Sequence, residues 1–352
     1  MHTRLYRNGV LEKEGFPIEE VSDHVADPAN AVWFDLCAPS PDQLSLIGEE
    51  LGLHELAVED VLTDHQRPKV DVYDNHLFIT VYGLHLEQGR LVPVEVDVFV
   101  TANALVTVRE NDRFDIGGVV RRWDAGARMA RHGVTFLLHG LLDYVVDQHF
   151  DLVQDLDGQV EAMEEALFVQ GVRESRALQH SMYLLRKDTT KLRRITFPMR
   201  EVVGTLLRRD QDLVADPVMK PYFEDVYDHV LRVTEWVESI RDMLANVRET
   251  RLSQQGFRLN EIMKRVTSWA AIIAVPTAIT GFYGQNVPYP GTGSRSASGR
   301  PRCWWRWPQR DCTRCSRRRT GCRAAKVPGQ GRLVTRRVCT SDSRTSPAPE
   351  AG

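Results

Sequence analysis

Residues 266–283 read VTSWAAIIAVPTAITGFY, eighteen positions without a charged side chain. At a rise of about 1.5 Å per residue, a helix of that length covers about 27 Å, close to the roughly 30 Å hydrocarbon thickness of a bilayer. The run is apolar on nearly all sides, whereas the helix of a soluble domain keeps one polar face. A membrane helix is therefore expected, with lipid as its surroundings. Arg258, Lys264 and Arg265 stand just before the run. Basic residues at one end of a membrane helix mark the cytoplasmic side, which predicts a cytoplasmic N-terminus and a place in the cell inner (plasma) membrane. Pro276 lies inside the run, where membrane helices tolerate proline.

The rest of the chain has to be largely soluble, since the mean hydropathy is −0.33. Its net charge of −3 hides a division. From Ser294 onward there are 15 Lys and Arg against 3 Asp and Glu, so residues 1–293 hold 30 basic and 45 acidic residues, a net of −15. An acidic body disfavours nucleic acid and suits cations as partners. Only Cys37 of the six cysteines precedes Cys303, which is the usage of a cytosolic domain and not of a disulfide framework. The opening MHTRLYRNGV has no apolar run of signal-peptide length.

Periodicity predicts an α+β protein. In residues 1–133, an α/β unit, a strand is expected over 31–36 and a helix over 41–63 with Pro41 in its first turn. Extended stretches follow at 76–86, 91–100 and 104–109. Val94, Val96, Val98 and Val100 alternate with Glu95, Asp97 and Phe99, the pattern of a half-buried strand. Residues 134–215 read as an acidic helical hairpin. In it Asp143, Asp147, Asp151 and Asp155 recur every four positions along one face, either a solvated surface or a weak attractor of cations. After a break at 215–217, one helix is expected from near Pro221 to Tyr283, a stalk (216–265) running into the membrane helix (266–286). At helical rise that is roughly 90 Å, far longer than a globular domain needs.

Asn260, Met263, Thr267, Ala270, Ala274, Thr277, Gly281 and Gly284 follow 3-4 spacing and share one face of this helix, while Trp269, Ile272, Ile273, Ile279 and Phe282 lie elsewhere. Small residues let membrane helices approach closely and polar ones avoid lipid. The stripe is thus either a helix–helix contact or the lining of a pore made by symmetric copies.

The segment Tyr283-Gly284-Gln285-Asn286, directly after an apolar helix, resembles the Gly-Met-Asn signature of the CorA magnesium channel family. Two further stretches are similar to that family: Val58-Glu59-Asp60-Val61-Leu62 continuing to His65-Gln66-Arg67-Pro68-Lys69, and Pro221-Tyr222-Phe223-Glu224-Asp225-Val226-Tyr227-Asp228-His229. The resemblance covers about residues 1–293. It implies a homopentamer with a cytoplasmic funnel and two membrane helices per subunit, the first lining the pore and ending in the signature. Asn286 then corresponds to the Asn of the outer ring that receives the hydrated ion, and Gly284 to the Gly. Asn260, Met263, Val266, Ala274 and Thr277 correspond to pore-lining positions. Asp60 and Asp225, with Glu59 adjacent, correspond to carboxylates that bind regulatory Mg2+ between subunits. The implied function is a channel for Mg2+, and for Co2+ or Ni2+, gated by cytoplasmic Mg2+.

Two departures stand out. Gln285 replaces the Met of the signature, at a position that bears on selectivity among Mg2+, Co2+, Ni2+ and Zn2+. No second apolar segment follows the turn Val287–Gly291. A zinc transporter of the same fold, or a membrane-anchored helical assembly that does not conduct, are the alternatives. Enzyme motifs are missing: there is no nucleotide-binding glycine loop, no HExxH and no GxSxG. Cys312-Thr313-Arg314-Cys315 is a lone CxxC, whereas a zinc site needs a second pair.

Residues 287–352 are expected to be a periplasmic turn followed by an aberrant tail. At Thr292 or Gly293 the family-like sequence stops, and Arg, Ser, Cys and Pro rise together as in out-of-frame translation of GC-rich DNA. With one membrane helix and a cytoplasmic N-terminus, the basic tail would also lie outside, against the positive-inside tendency. Translating the gene in its other two frames from codon 290 is expected to reveal a charge-free helix of about 20 residues and a short basic end. If neither frame contains one, the tail is the native sequence.

Overall fold

The computed structural model describes residues 2–17, 20–63, 66–87, 89–169, 175–208 and 216–284. Asn8 and Gly9 take φ of 52° and 81°, the backbone of a tight hairpin turn. They join β1 (His2–Arg7) to β2 (Val10–Glu14). A Cβ on Gly9 would lie 2.5 Å from the Arg131 backbone nitrogen, so glycine is required there for space as well as for φ. Next along the chain come the short helix α1 (Val21–Val25) and β3 (Asn30–Cys37). Then follow α2 (Pro41–Leu51), α3 (Glu55–Val61) and β4 (Lys69–Val72), and after them β5 (Leu77–Glu87), β6 (Arg90–Val100) and β7 (Ala104–Arg109). The seven strands form one sheet in the order β2-β1-β3-β7-β6-β5-β4. Only β3 and β7 pair in parallel, which needs the crossover that α2, α3 and the β4–β6 meander supply.

The expected helix over 41–63 is two helices. Gly52 adopts φ 63° and caps α2, and His54 Nδ1 accepts from the Leu56 amide to start α3. The strand expected to be half-buried is buried on both faces over its last residues. Val94, Val96, Val98 and Val100 pack on the side of α4 (Ile116–Ala125) and α5 (Gly133–Val169), while Phe99 lies in the second cluster, under α2 and α3. Alternation along a strand marks a solvated face only when nothing covers it. The strands β1, β2 and β4, and helix α4, had no clear signal in the sequence.

The sheet interior contains a charged pair in which both partners are buried. Arg109 donates through Nε and Nη2 to the two Asp35 oxygens, at 2.9 and 2.6 Å, and the Thr107 hydroxyl also donates to Asp35 at 2.9 Å. Asp35 is fully buried and Arg109 nearly so. Beside them Trp33 meets Trp123 edge-on at 4.8 Å, and each indole N–H has an acceptor, Thr107 Oγ1 and the Leu137 carbonyl.

A short 3-10 helix (Ala127–His132) leads into α5, which carries eight acidic residues and no Lys or Arg. Its partner α6 (Ser175–Leu206) carries Arg186, Lys187, Lys191, Arg193, Arg194 and Arg200. Helix α7 runs from Lys220 to Gly284, 65 residues. Its start is set by Asp216, whose side chain accepts from the Val218 amide and pairs with His132 at 2.5 Å. Its buried residues are Phe223, Val226, Val230, Val233, Val237, Ile240, Leu244, Val247 and Arg251, a strict 3-4 repeat. This seam packs on α5, α6 and the sheet. The chain divides into two units, Met1–Phe257 and Arg258–Gly352, and in the second the described residues are the last part of α7.

Removing one member of a buried ion pair leaves the other charge without compensation, at a cost of about 3–5 kcal/mol. Arg109→Ala is therefore expected to destabilise the fold by that amount in chemical denaturation, with Asp35→Asn/Arg109→Met recovering part of the loss. A loss no larger than that of an exposed substitution would show that Asp35 finds its compensation elsewhere.

Candidate functional site

Along α7, residues two positions beyond the seam are rotated about 200° from it. There the helix presents Glu235, Ser239, Asp242 and Asn246, all exposed, which line one wall of an open groove completed by Phe197 of α6. The same 3-4 count continues through Glu249, Ser253 and Gly256 to Asn260 and Met263, the first members of the stripe expected from the sequence. Sequence reasoning found this stripe only from Asn260 onward. The signal for the earlier part was present in the seam, because the face opposite a heptad seam is set once the seam is recognised.

In the second unit, Asn260, Met263, Val266, Thr267, Ala270, Ala274, Thr277, Gly281 and Gly284 are all helical and exposed. No part of the apolar window is buried, and Trp269, Ile273, Phe282 and Tyr283 are exposed with it. An apolar surface of this extent needs lipid or another chain to cover it. Thr277 donates its hydroxyl to the Ile273 carbonyl at 2.8 Å. That leaves its oxygen lone pairs as acceptors only. Gln285 and Asn286 lie outside the described residues, as does the tail.

A group of possible metal ligands occurs where α5 meets α7. One donor atom each from Asp143, Asp147 and His229 lies within 4.8 Å of the other two. The four-residue periodicity of Asp143, Asp147, Asp151 and Asp155 was legible beforehand. What the sequence could not supply is His229, 82 residues beyond Asp147. Asp151 and Asp155 are exposed, as a solvated face requires, but Asp143 and Asp147 both pair with Arg122 of α4. Burial pushes the Asp143 carboxyl up, opposed by Arg122 and His139. The His139 ring packs edge-on against Tyr222 and Phe223 at 5.6 Å. Burial lowers its pKa, against the pull of Asp143 and, more weakly, Asp225. Asp225 is exposed on α7, one turn before His229. The two carboxylates of this group are the oxygen donors that Mg2+ prefers. A bound cation would share them with the Arg122 guanidinium.

Asp60 and Glu59 sit on α3, which is held at its start by His54 stacked on Tyr73 at 4.7 Å. Glu59 is exposed. Asp60 is partly buried and pairs with Lys69 Nζ at 2.5 Å, while Lys69 also reaches Asp71 at 2.7 Å. Burial alone would lower the Lys69 pKa, but the hydrogen bonds to Asp60 and Asp71 raise it above the ordinary lysine value. Gln66 Nε2 donates to the Asp60 carbonyl at 2.9 Å and ties the end of α3 to the strand that follows. The structure thus holds Asp60 on α3 and Asp225 on α7, each on an element of its own.

A family model described as "CorA-like Mg2+ transporter protein" matches residues 28–299. A cobalt/magnesium transport protein CorA of Thermotoga maritima is 30% identical over 286 residues, covering 80% of this chain and 77% of its own length. A putative metal ion transporter, YfjQ, of Bacillus subtilis is 31% identical over 257 residues, covering 73% of this chain and 79% of that one. Among solved structures, the complete CorA magnesium transporter of Methanocaldococcus jannaschii superposes with a TM-score of 0.70 at 20% identity, over 91% of this chain and 98% of that one.

Asp97, on β6, is buried and accepts from Thr80 Oγ1 at 2.7 Å. Burial raises its pKa from 3.8 to about 7. A carboxyl raised in this way binds its proton more tightly in the folded state than in the unfolded one. It favours folding at low pH and loses that contribution as pH rises between about 4 and 7. Asp97→Asn cannot ionise, so its stability relative to wild type is expected to improve steadily over that window in unfolding measured at several pH values. A pH-independent difference would show that Asp97 is charged in the fold throughout.

Proposed function

This chain belongs to the CorA-like Mg2+ transporter family, and on that premise we propose that it carries divalent cations across the cytoplasmic membrane as a ring of identical subunits, with Mg2+ as the main cargo. The observation that carries the proposal is the division of α7: a buried seam on one side, a polar and acidic stripe on the other, and an exposed charge-free helix beyond. In a closed ring each copy offers the same face to the axis. Five copies, the number the family resemblance implies, would set Glu235, Asp242, Asn246 and Asn260 around a cation path, continued by Met263, Val266, Ala274 and Thr277 through the bilayer.

The chemistry suits Mg2+, which dehydrates reluctantly. Thr277, its hydroxyl proton committed to Ile273, can accept from the waters of a hydrated ion without stripping them. At the mouth, Asn286, after Gly284 and Gln285, would do the same with its neutral amide oxygen, which holds the hydration shell without trapping the ion as a carboxylate ring would. In the cytoplasm, Asp60 with Glu59 from one subunit and Asp225 from the next would hold regulatory Mg2+, with Asp143, Asp147 and His229 close to Asp225 in the same acidic field. An ion bound between subunits screens their repulsion and locks the closed state.

The test is uptake of Mg2+ into vesicles by a version of the chain carrying two membrane helices. Asn286→Ala is expected to abolish uptake while cross-linking still gives pentamers, and normal uptake by that variant would rule out the role of the amide. Pentamers of the unsubstituted chain without flux would overturn the transport reading in favour of a membrane-anchored assembly.

A further inference from the structure

We infer that Lys69 is a tethered ammonium that occupies the Asp60 carboxylate in the absence of metal and steps onto Asp71 when a divalent cation binds. The inference rests on the regulatory role proposed for Asp60 and assigns the residue that sets its affinity. The geometry points to it directly: Lys69 Nζ lies 2.5 Å from Asp60 Oδ2 and 2.7 Å from Asp71 Oδ2. The lysine is held in place from below. Its backbone pairs with Thr80 across β4 and β5, and its ammonium lies 5.2 Å from the centre of the Phe78 ring. The ammonium is therefore positioned between two carboxylates and does not sweep the surface. Being only partly exposed, the pair is less screened than one in open solvent.

An ammonium has three donors, so Lys69 can serve both carboxylates at once and can release one without losing its last partner. Asp71 makes the release cheap. A divalent cation arriving at Asp60 meets a carboxylate whose Oδ2 is already taken, and its binding free energy is reduced by the pair that it breaks. This tunes affinity downward, as a sensor of an abundant ion requires, without removing any ligand. Asp60 stays anchored throughout by Gln66 on its carbonyl, so the exchange moves a side chain and not the helix.

The experiment measures, in membranes holding the full chain, the Mg2+ concentration that protects half of it from protease. Lys69→Gln is expected to lower this midpoint by about fivefold, the equivalent of a partly exposed ion pair. Asp71→Asn should raise it in the wild-type background by confining Lys69 to Asp60, and should leave it nearly unchanged in the Lys69→Gln background. Asp60→Asn should raise it in both. If Lys69→Gln fails to fold, Lys69→Met, which keeps the stem on Phe78, makes the same measurement. An unchanged or higher midpoint for the Lys69 variant overturns the inference. So does an equal effect of Asp71→Asn in both backgrounds, which would mean that Asp71 acts through its field alone. An Asp60→Asn midpoint equal to wild type would instead remove Asp60 from the sensor, and the inference with it.

Discussion

The packing of α7 is the constraint on which the remainder depends. Nine seam residues from Phe223 to Arg251, spaced three and four apart, bury one edge of that helix against α5, α6 and the sheet. Val226, Val230, Val233, Val237, Ile240 and Val247 are almost wholly inaccessible. A side chain of that size contributes roughly 1.5–3 kcal/mol when buried, so the seam is a large share of what holds the helical layer together. It also has a geometric consequence. A helix whose seam is pinned cannot rotate, and the residues on its far side are thereby aimed. The polar stripe through Glu235, Ser239, Asp242 and Asn246 owes its direction to valines that it does not touch.

Charge is placed with similar economy. The body is strongly acidic, yet the carboxylates of greatest interest are not bare. Asp60 has Lys69, Asp143 and Asp147 share Arg122, and Asp35 has Arg109. Where the pair is deeply buried, at Asp35, it fixes the register of β3 against β7. Where it is half exposed, at Asp60 and at Asp143 and Asp147, both partners keep contact with water. The distinction is one of dielectric: screening by water weakens the second kind of pair.

Much of the architecture was legible in the chain. The run at 266–283 announced a membrane helix through its length and lack of charge, and among the described residues α7 is one continuous helix through Gly284, with no break where the sequence showed no stop signal. The strands β3, β5, β6 and β7 followed from runs of Val, Leu and Phe. Other elements were hidden for definite reasons. β1 and β2 alternate weakly, and β2 is exposed throughout, so it has no apolar face to betray it. The helix expected over 41–63 broke because Gly52 took a left-handed conformation and His54 offered its ring nitrogen as a cap, events decided at single residues.

The sequence by itself determined the apolar helix, the acidic body, the family signature residues and the periodicities of α5 and α7, because these depend on residues close together in the chain. Only the tertiary structure decided which carboxylates meet which cations. Lys69 reaches Asp60 because β4 pairs with β5 beneath α3, and Arg122 reaches Asp143 and Asp147 because α4 packs on α5. Likewise His229 comes within reach of those two aspartates only because the seam of α7 is buried against its neighbours. Such meetings depend on a few ångströms of packing between elements distant in sequence, and no periodicity records them.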